Sequence, residues 1–240
     1  MVIRTRNLWL GSALGLLATA GIAGIPTSET VKCPVGGKSF VIAGTASCTT
    51  FGGSQDFFLK IETSCDFVTK LAQCPENGLP LYKEFTSDEA ALLKDYVASD
   101  DYRANAGRSR FAIAKKVDDF LVSKGSKPGF NFWYALGGLQ YDREATLGDP
   151  EYMIWLDEKG KVELETAKGV DAAIIRLVLA YVRYLAGDFD AAKAGIAAAQ
   201  ADETAKDHWL VKAYTVRLGA CVEARDVKLC PPGARISPSK

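Results

Sequence analysis

The residues best suited to chemistry are four of the six cysteines, which lie close together at Cys33, Cys48, Cys65 and Cys74. Two of them open similar motifs, CPVGG at Cys33 and CPENG at Cys74. A zinc-binding knuckle carries a second cysteine at the positions that Gly36 and Asn77 occupy here. A zinc site would therefore need four ligands from these cysteines and His208, with no CxxC pair among them. The spacing disfavours structural zinc, so no metal ligand is assigned.

Other residue types give little support for catalysis. His208 is the only histidine, and no serine or cysteine is marked as a nucleophile by a base beside it. Two carboxylate pairs, Asp142 with Glu144 and Asp149 with Glu151, could serve in acid–base hydrolysis. Acidic pairs in loops are more often simply solvated. The sequence therefore assigns no catalytic residue and implies no cofactor.

An aromatic-rich segment follows Pro128 and could line a groove for a sugar or a peptide. Its aromatic residues are Phe130, Phe132, Trp133, Tyr134 and Tyr141. Core packing between helices is the competing interpretation, because aromatic side chains dominate protein cores. The direction of the rings distinguishes the two. Inward packing favours a structural role, whereas an open cleft with converging carboxylates favours a hydrolase or a glycan-binding protein.

The N-terminal residues predict export. Arg4 and Arg6 precede an uncharged run rich in Gly and Ala over 8–25, a pattern typical of a secretory signal peptide. Residues 1–25 are interpreted as a signal peptide, with an uncleaved signal anchor formed by 8–25 as the alternative. Both interpretations place the rest of the chain outside the cytosol. We therefore expect a periplasmic or secreted protein, or one that is anchored in the inner membrane and faces outward.

The charge of the chain limits the classes of partner. Lys plus Arg and Asp plus Glu number 29 each, and loss of Arg4 and Arg6 with the leader leaves a net charge of −2. This balance does not attract nucleic acid or anionic lipid. We expect a protein partner, no nucleic acid, and contact with a membrane only through an uncleaved N-terminal segment.

The predicted secondary structure changes from strands to helices near residue 85. Residues 26–85 contain short runs of alternating apolar and polar residues between Gly-Gly, Pro and Asn-Gly signals, which predicts several strands. After Phe85, Thr86 and Glu89 have the spacing of a capping box, which predicts the start of a helix. The sequence therefore divides into a cysteine-rich β region and a helical region.

Further helices are predicted over 108–123, after Pro128, and over 205–224 from the spacing of apolar residues. Residues 150–166 are ambiguous, because two apolar runs flank Asp157-Glu158-Lys159-Gly160. That sequence suits a turn, so the segment is predicted to form a β-hairpin, with a helix as the alternative.

Residues 179–200 resemble one tetratricopeptide unit. The residues that match are Leu179, Ala180, Gly187, Asp188, Phe189, Ala192 and Ala199. Small residues let two antiparallel helices approach closely, and Gly187 permits the tight turn between them. Arg183 departs from the repeat, which usually has an aromatic residue there. The resemblance implies a helical, tetratricopeptide-like domain over 86–240.

The two Cys-Pro motifs followed by such helices resemble a bacterial family of unassigned function, in which a CPxCG-type zinc ribbon precedes tetratricopeptide-like helices. This chain departs from the family at Gly36 and Asn77, where the second cysteine of each knuckle is missing. In that ribbon the two knuckles face each other, which implies that the remaining Cys33 and Cys74 lie within bridging distance. For an exported protein, the resemblance implies a Cys33–Cys74 disulfide in place of a zinc ion.

The other four cysteines are also expected to pair outside the cytosol, although six cysteines allow 15 connectivities. The favoured pairs are Cys48–Cys65 and Cys221–Cys230. The second closes a short local loop and would tether the C-terminal residues.

Together these patterns predict an α+β protein, with a small disulfide-bonded, ribbon-like β region over 26–85 and a mainly α-helical domain over 86–240. The expected function is an exported, non-enzymatic protein-interaction or scaffold role in the cell envelope. One alternative is an envelope hydrolase or glycan-binding protein that uses the cluster at 130–144. Another is a membrane-anchored accessory subunit of a larger complex.

Overall fold

The structure is a computed structural model that describes residues 24–237, so nearly all of the predicted leader over 1–25 lies outside the described residues. Strand β1 spans Gly24–Lys32 and pairs antiparallel with β2, which spans Ser39–Cys48. Two short strands, β3 at Gln55–Asp56 and β4 at Arg235–Ile236, form a second antiparallel pair. The second pair brings the C-terminal part of the described chain against the cysteine-rich region.

Nine helices follow within residues 24–237. They are α1 (Ser87–Tyr96), α2 (Asp100–Arg103), α3 (Arg110–Ser123), α4 (Phe132–Tyr141), α5 (Arg143–Leu147), α6 (Pro150–Leu164), α7 (Gly169–Leu185), α8 (Phe189–Gln200) and α9 (Trp209–Glu223). The capping box predicted at the start of α1 is present: Glu89 N donates to Thr86 Oγ1 at 3.2 Å, and Thr86 N donates to a Glu89 carboxylate oxygen at 3.1 Å. The predicted α+β class is confirmed.

The cysteine-rich region contains less strand than the sequence predicts. Beyond β3, residues 57–85 form only isolated bridges, Gln55 with Ile61 and Gln73 with Pro80. Apolar residues of this region, such as Phe57 and Leu79, are fully buried. The alternating pattern therefore reflects loops that pack against helices, because a buried apolar run does not distinguish a strand from a packed loop.

The hairpin predicted over 150–166 is wrong, because this segment forms helix α6. Asp149 caps the helix, with its side chain accepting a hydrogen bond from Tyr152 N at 3.1 Å, and Pro150 occupies the first turn. Tyr152, Trp155 and Leu156 have helical spacing and are buried on one face. This periodicity outweighs the local turn signal at 157–160.

Helices α7 and α8 form the antiparallel hairpin expected over 179–200. Gly187 lies between them with a φ of 80°, which glycine adopts without strain. Asp188 caps α8 by accepting a hydrogen bond from Ala191 N at 3.1 Å. The close approach that small residues permit is visible at Gly195, where an added Cβ would lie 2.9 Å from Ala180 Cβ. The helical pair is therefore present, and its membership of the tetratricopeptide class stays a prediction.

This close approach gives a matched pair of variants. Gly195→Ala is expected to lower the free energy of unfolding by about 1–2 kcal/mol, since overpacking against Ala180 outweighs the helix propensity of alanine. Gly219→Ala in α9 is the control, because an added Cβ meets nothing within 4 Å there, and it should stabilise by about 0.5–1 kcal/mol. Urea unfolding measures both. Equal stabilisation by the two changes would contradict the close packing of α7 on α8.

One hydrophobic cluster runs through both parts of the described chain. The Phe57 ring stacks on Tyr181 of α7 with centroids 4.5 Å apart, and the Tyr214 hydroxyl of α9 donates to the Phe57 carbonyl at 2.6 Å. The loop that follows β3 is therefore part of the core of the helical domain. Among the described helices, none combines the length and the apolar character needed to cross a membrane.

Candidate functional site

The six cysteines form three disulfides, Cys33–Cys74, Cys48–Cys65 and Cys221–Cys230. These are the pairs that the sequence analysis favours. No free cysteine is found in the described part of the chain. Because thiols stay reduced in the cytosol, three disulfides indicate an oxidising, extracytoplasmic environment.

The two Cys-Pro motifs form tight turns of the same design. In each turn the cysteine N–H donates to the carbonyl of the residue five positions later, Cys33 to Lys38 and Cys74 to Leu79, both at 2.9 Å. Asn77, at one missing ligand position, donates through Nδ2 to the Val35 carbonyl of the other turn at 3.3 Å. We call these two turns the knuckle turns (33–38 and 74–79). They are held together by the Cys33–Cys74 disulfide and by the hydrogen bond from the Asn77 side-chain amide.

Two of the five candidate groove aromatics belong to the core. Phe130 is 5% exposed and Phe132 is fully buried. Phe130 stacks on Tyr82 with centroids 4.7 Å apart and meets Trp155 edge-on at 5.4 Å. For these two residues, the core-packing interpretation applies.

Trp133 and Tyr134 form an exposed aromatic pair on the first turn of α4. They are 36% and 37% exposed, the Trp133 ring packs edge-on against Phe132, and the Tyr134 ring packs edge-on against Phe130. Asn131 caps the helix at this point by accepting a hydrogen bond from Tyr134 N at 2.9 Å. The α4 aromatic pair (Trp133 and Tyr134) is therefore held by a capped helix end and by buried rings.

Tyr141 lies at the other end of α4, roughly 12 Å along the helix axis from Trp133. It is 44% exposed and lines a separate cleft of about 390 Å³. The ammonium groups of Lys70 and Lys60 lie 5.0 and 5.9 Å from its ring centroid, a cation–π arrangement. The five predicted aromatics thus do not form one groove.

The acidic residues near α4 are engaged by donors and cations, although Asp142 lines the cleft of Tyr141 together with Asp66. Asp142 accepts a hydrogen bond from Arg110 N at 3.0 Å, and Asp149 accepts one from Arg108 Nε at 2.9 Å. Glu151 pairs with Lys116 at 2.7 Å. This hydrogen bond, with the charges of Lys115 and Arg108, lowers the pKa of Glu151. A general acid needs a raised pKa, so the arrangement gives little support for glycoside hydrolysis.

His208 lies immediately before α9, and its Nδ1 is buried with no hydrogen-bond partner among the described residues. Its ring lies beside Trp209, with centroids 6.1 Å apart. Over residues 24–237, no group of three or more His, Cys, Asp or Glu side chains could hold a metal ion.

Sequence reasoning missed a second cleft, of about 550 Å³, beside the second knuckle turn. It is lined by Gln73, Glu76, Asn77 and Gly78 on one side and, on the other, by Val97 just after α1, by Tyr102 and Arg103 of α2, and by residues between Ala106 and Ile113. The only local signal was the acidic pair Asp100 and Asp101, which is typical of any solvated helix start. The second knuckle turn and Tyr102 are distant in the sequence, and only the tertiary structure brings them together.

Comparison with protein-family models, with curated proteins and with solved structures finds no significant match to this chain. The two family resemblances of its motifs therefore stay predictions, and the function must be argued from the residues themselves.

Proposed function

We propose that this protein works outside the cytosol as a protein-interaction or scaffold protein of the cell envelope, and that the α4 aromatic pair contributes to its binding surface. The single observation that carries the proposal is the exposure of both rings, 36% for Trp133 and 37% for Tyr134, on a capped helix end. Trp and Tyr are the residue types most enriched among the residues that dominate binding energy at protein interfaces.

The packing beneath the pair supports this role. Phe132 and Phe130 contact the two rings edge-on from the core, which limits the conformational freedom that binding would otherwise remove. Side chains that are ordered before binding lose less entropy when a partner covers them. The pair is therefore better prepared for contact with a protein than two aromatic residues on a mobile loop.

The proposed location rests on two features. The disulfides indicate an oxidising compartment, and residues 1–25 have the pattern of a signal peptide. We propose a periplasmic or secreted protein if this segment is cleaved. An outward-facing accessory subunit, anchored by residues 8–25, is the form expected if it is retained.

A glycan-binding role is the second candidate, and one observation favours it. Tyr141 presents a partly exposed ring beside Lys70 in the cleft of about 390 Å³, and sugars and anionic groups bind such surfaces. The engaged carboxylates Asp142 and Asp149 weaken the hydrolase form of this alternative. The interaction role is therefore preferred.

Site-specific photocrosslinking in the native host tests the proposal. A photoreactive residue at position 133 is expected to yield a discrete adduct with one envelope protein, and adding Tyr134→Ala should reduce that adduct severalfold. The matched control places the same residue at Val216, which is 74% exposed on α9. Identical adducts from both positions, or none from position 133, would contradict the role of the α4 aromatic pair.

A further inference from the structure

The cleft beside the second knuckle turn contains a buried hydroxyl that no described residue satisfies. Tyr102 is 7% exposed, and its hydroxyl has no hydrogen-bond partner among the residues that the structure describes. Tyr102 lines the cleft, where its hydroxyl lies 3.9 Å from the position that a Cβ on Gly78 would take. A buried hydroxyl without a partner costs free energy, and most such groups in proteins are satisfied. This hydroxyl therefore marks a place where a ligand acceptor would be stabilised.

The hydroxyl of Tyr102 is available as a donor at neutral pH. Burial raises the pKa of Tyr102 to about 12, with a smaller contribution from the neighbouring Tyr96. The ring is fixed by an edge-on contact with Tyr96, with centroids 5.5 Å apart. A phenol that is fixed and protonated can donate to an acceptor such as a carboxylate or carbonyl oxygen.

Among the described residues, the lining carries two arginines, Arg103 and Arg108, against one carboxylate, Glu76, and this excess of positive charge favours an anionic acceptor. Arg108 is engaged by Asp149 and Glu151, and the one lining carboxylate, Glu76, makes only an exposed pair with Lys38, at 3.7 Å, in the described part of the chain. Within residues 24–237, the one ion pair of Arg103 is with the fully exposed Asp100, at 3.4 Å, and such surface pairs contribute little. Arg103 can therefore turn to a ligand at small cost, and arginine binds carboxylates with two parallel hydrogen bonds.

The rest of the lining is apolar enough to hold a short aliphatic group. Val97, Ala106 and Ile113 contribute to the wall opposite the knuckle turn. A volume of about 550 Å³ lies within the range of small-molecule sites, which combine apolar walls with a few placed polar groups.

We propose that this cleft binds a carboxylate attached to a short aliphatic chain, with the carboxylate accepting hydrogen bonds from Tyr102 Oη and Arg103. Such a group occurs on a small free acid and at the C-terminus of a peptide. Both carry the same recognition chemistry, so the experiment has to separate them.

The test is a titration of the intact, disulfide-bonded protein followed by NMR. The probes are hexanoate for a free acid and N-acetyltrialanine for a peptide terminus, each compared with its uncharged primary amide. We expect one of the two acids to give saturable shifts for residues 97–113, with at least tenfold weaker binding of the matching amide. The probe that binds identifies the source of the carboxylate.

Two variants and their controls connect binding to the named atoms. Tyr102→Phe removes the hydroxyl and keeps the ring, so binding should weaken at least tenfold while the unfolding temperature of the free protein stays the same or rises. Tyr96→Phe is its control, because the Tyr96 hydroxyl contacts the Lys116 carbonyl at 3.5 Å instead. Arg103→Gln should weaken binding similarly, and Arg225→Gln, at an exposed arginine paired with Asp190, should not.

Three results would overturn the proposal. These are saturation by neither acid at millimolar concentration, equal binding of acids and amides, and unchanged binding in Tyr102→Phe. If neither acid binds, the unpaired Tyr102 hydroxyl is a loss of stability that the fold tolerates.

Discussion

Replacing Cys33 and Cys74 together by alanine is expected to lower the free energy of unfolding by about 4 kcal/mol. The disulfide spans a sequence separation of 41 residues, and in the chain-entropy treatment a longer loop restricts the unfolded chain more. It also fixes one knuckle turn against the other beside the Asn77 contact. Typical domains are stable by about 5–15 kcal/mol, so the variant should unfold at much lower urea. Urea denaturation followed by circular dichroism measures the change.

The Cys221–Cys230 pair provides the matched control. Its cysteines are as deeply buried as Cys33 and Cys74, and its sequence separation is only 9 residues. The same side-chain atoms are lost in both variants. The difference between their free energies of unfolding therefore reports the effect of loop length. The expected loss is about 2.6 kcal/mol. A larger loss for the short loop than for the long one would contradict the assigned role of the Cys33–Cys74 disulfide.

Arg143→Ala is expected to destabilise the protein by about 3–5 kcal/mol, because it leaves a buried carboxylate without its cation. Asp56, whose side chain is 3% exposed, pairs with the Arg143 guanidinium and accepts hydrogen bonds from Phe58 N and Lys60 N at 2.9 and 3.0 Å. The guanidinium also lies 5.5 Å from the centroid of the Phe58 ring. This pair joins strand β3 to helix α5.

Two further variants separate the charge from the packing. Arg225→Ala removes an exposed arginine that pairs with Asp190 at 3.0 Å, and it should change stability by less than about 1 kcal/mol. Adding Asp56→Asn to Arg143→Ala should recover part of the loss, since a neutral side chain does not require the cation. If the double variant is no more stable than Arg143→Ala, the loss comes from packing instead. Urea unfolding of the four proteins measures these differences.

Helix starts and tight turns could be predicted from sequence because their signals are local. The capping box at Thr86 places the start of α1 through two hydrogen bonds within four residues. Gly187 similarly predicts the turn between α7 and α8, because glycine adopts the positive φ that this turn requires. The extent of strand in residues 57–85 could not be predicted, because it depends on helices that pack there from distant parts of the chain.

The error at α6 has a specific cause. Gly160 reads as a turn residue in the sequence, yet in the structure it lies inside a helix where an added Cβ would come within 2.8 Å of Leu179 Cδ1. The glycine permits close packing of α6 on α7 rather than a change of chain direction. Only the partner helix distinguishes these two uses of glycine.

The candidate sites were only partly predictable. The sequence places Trp133 and Tyr134 among five aromatics, but it does not tell which rings are exposed, since Phe130 and Phe132 differ from them only in packing. No sequence feature marks Tyr102, because an unpaired hydroxyl can be recognised only when the residues around it are known. Burial and the pairing of polar atoms are properties of the tertiary structure.

We infer that this protein works outside the cytosol and that its six cysteines form structural disulfides. The most direct test is the intact mass of protein from its native host, with free thiols alkylated before and after reduction. We predict no alkylation before reduction and six alkylated cysteines after it, on a chain shortened by the leader or, if anchored, at full length. Alkylation of Cys33 and Cys74 without reduction, or one zinc ion per chain, would contradict the claim.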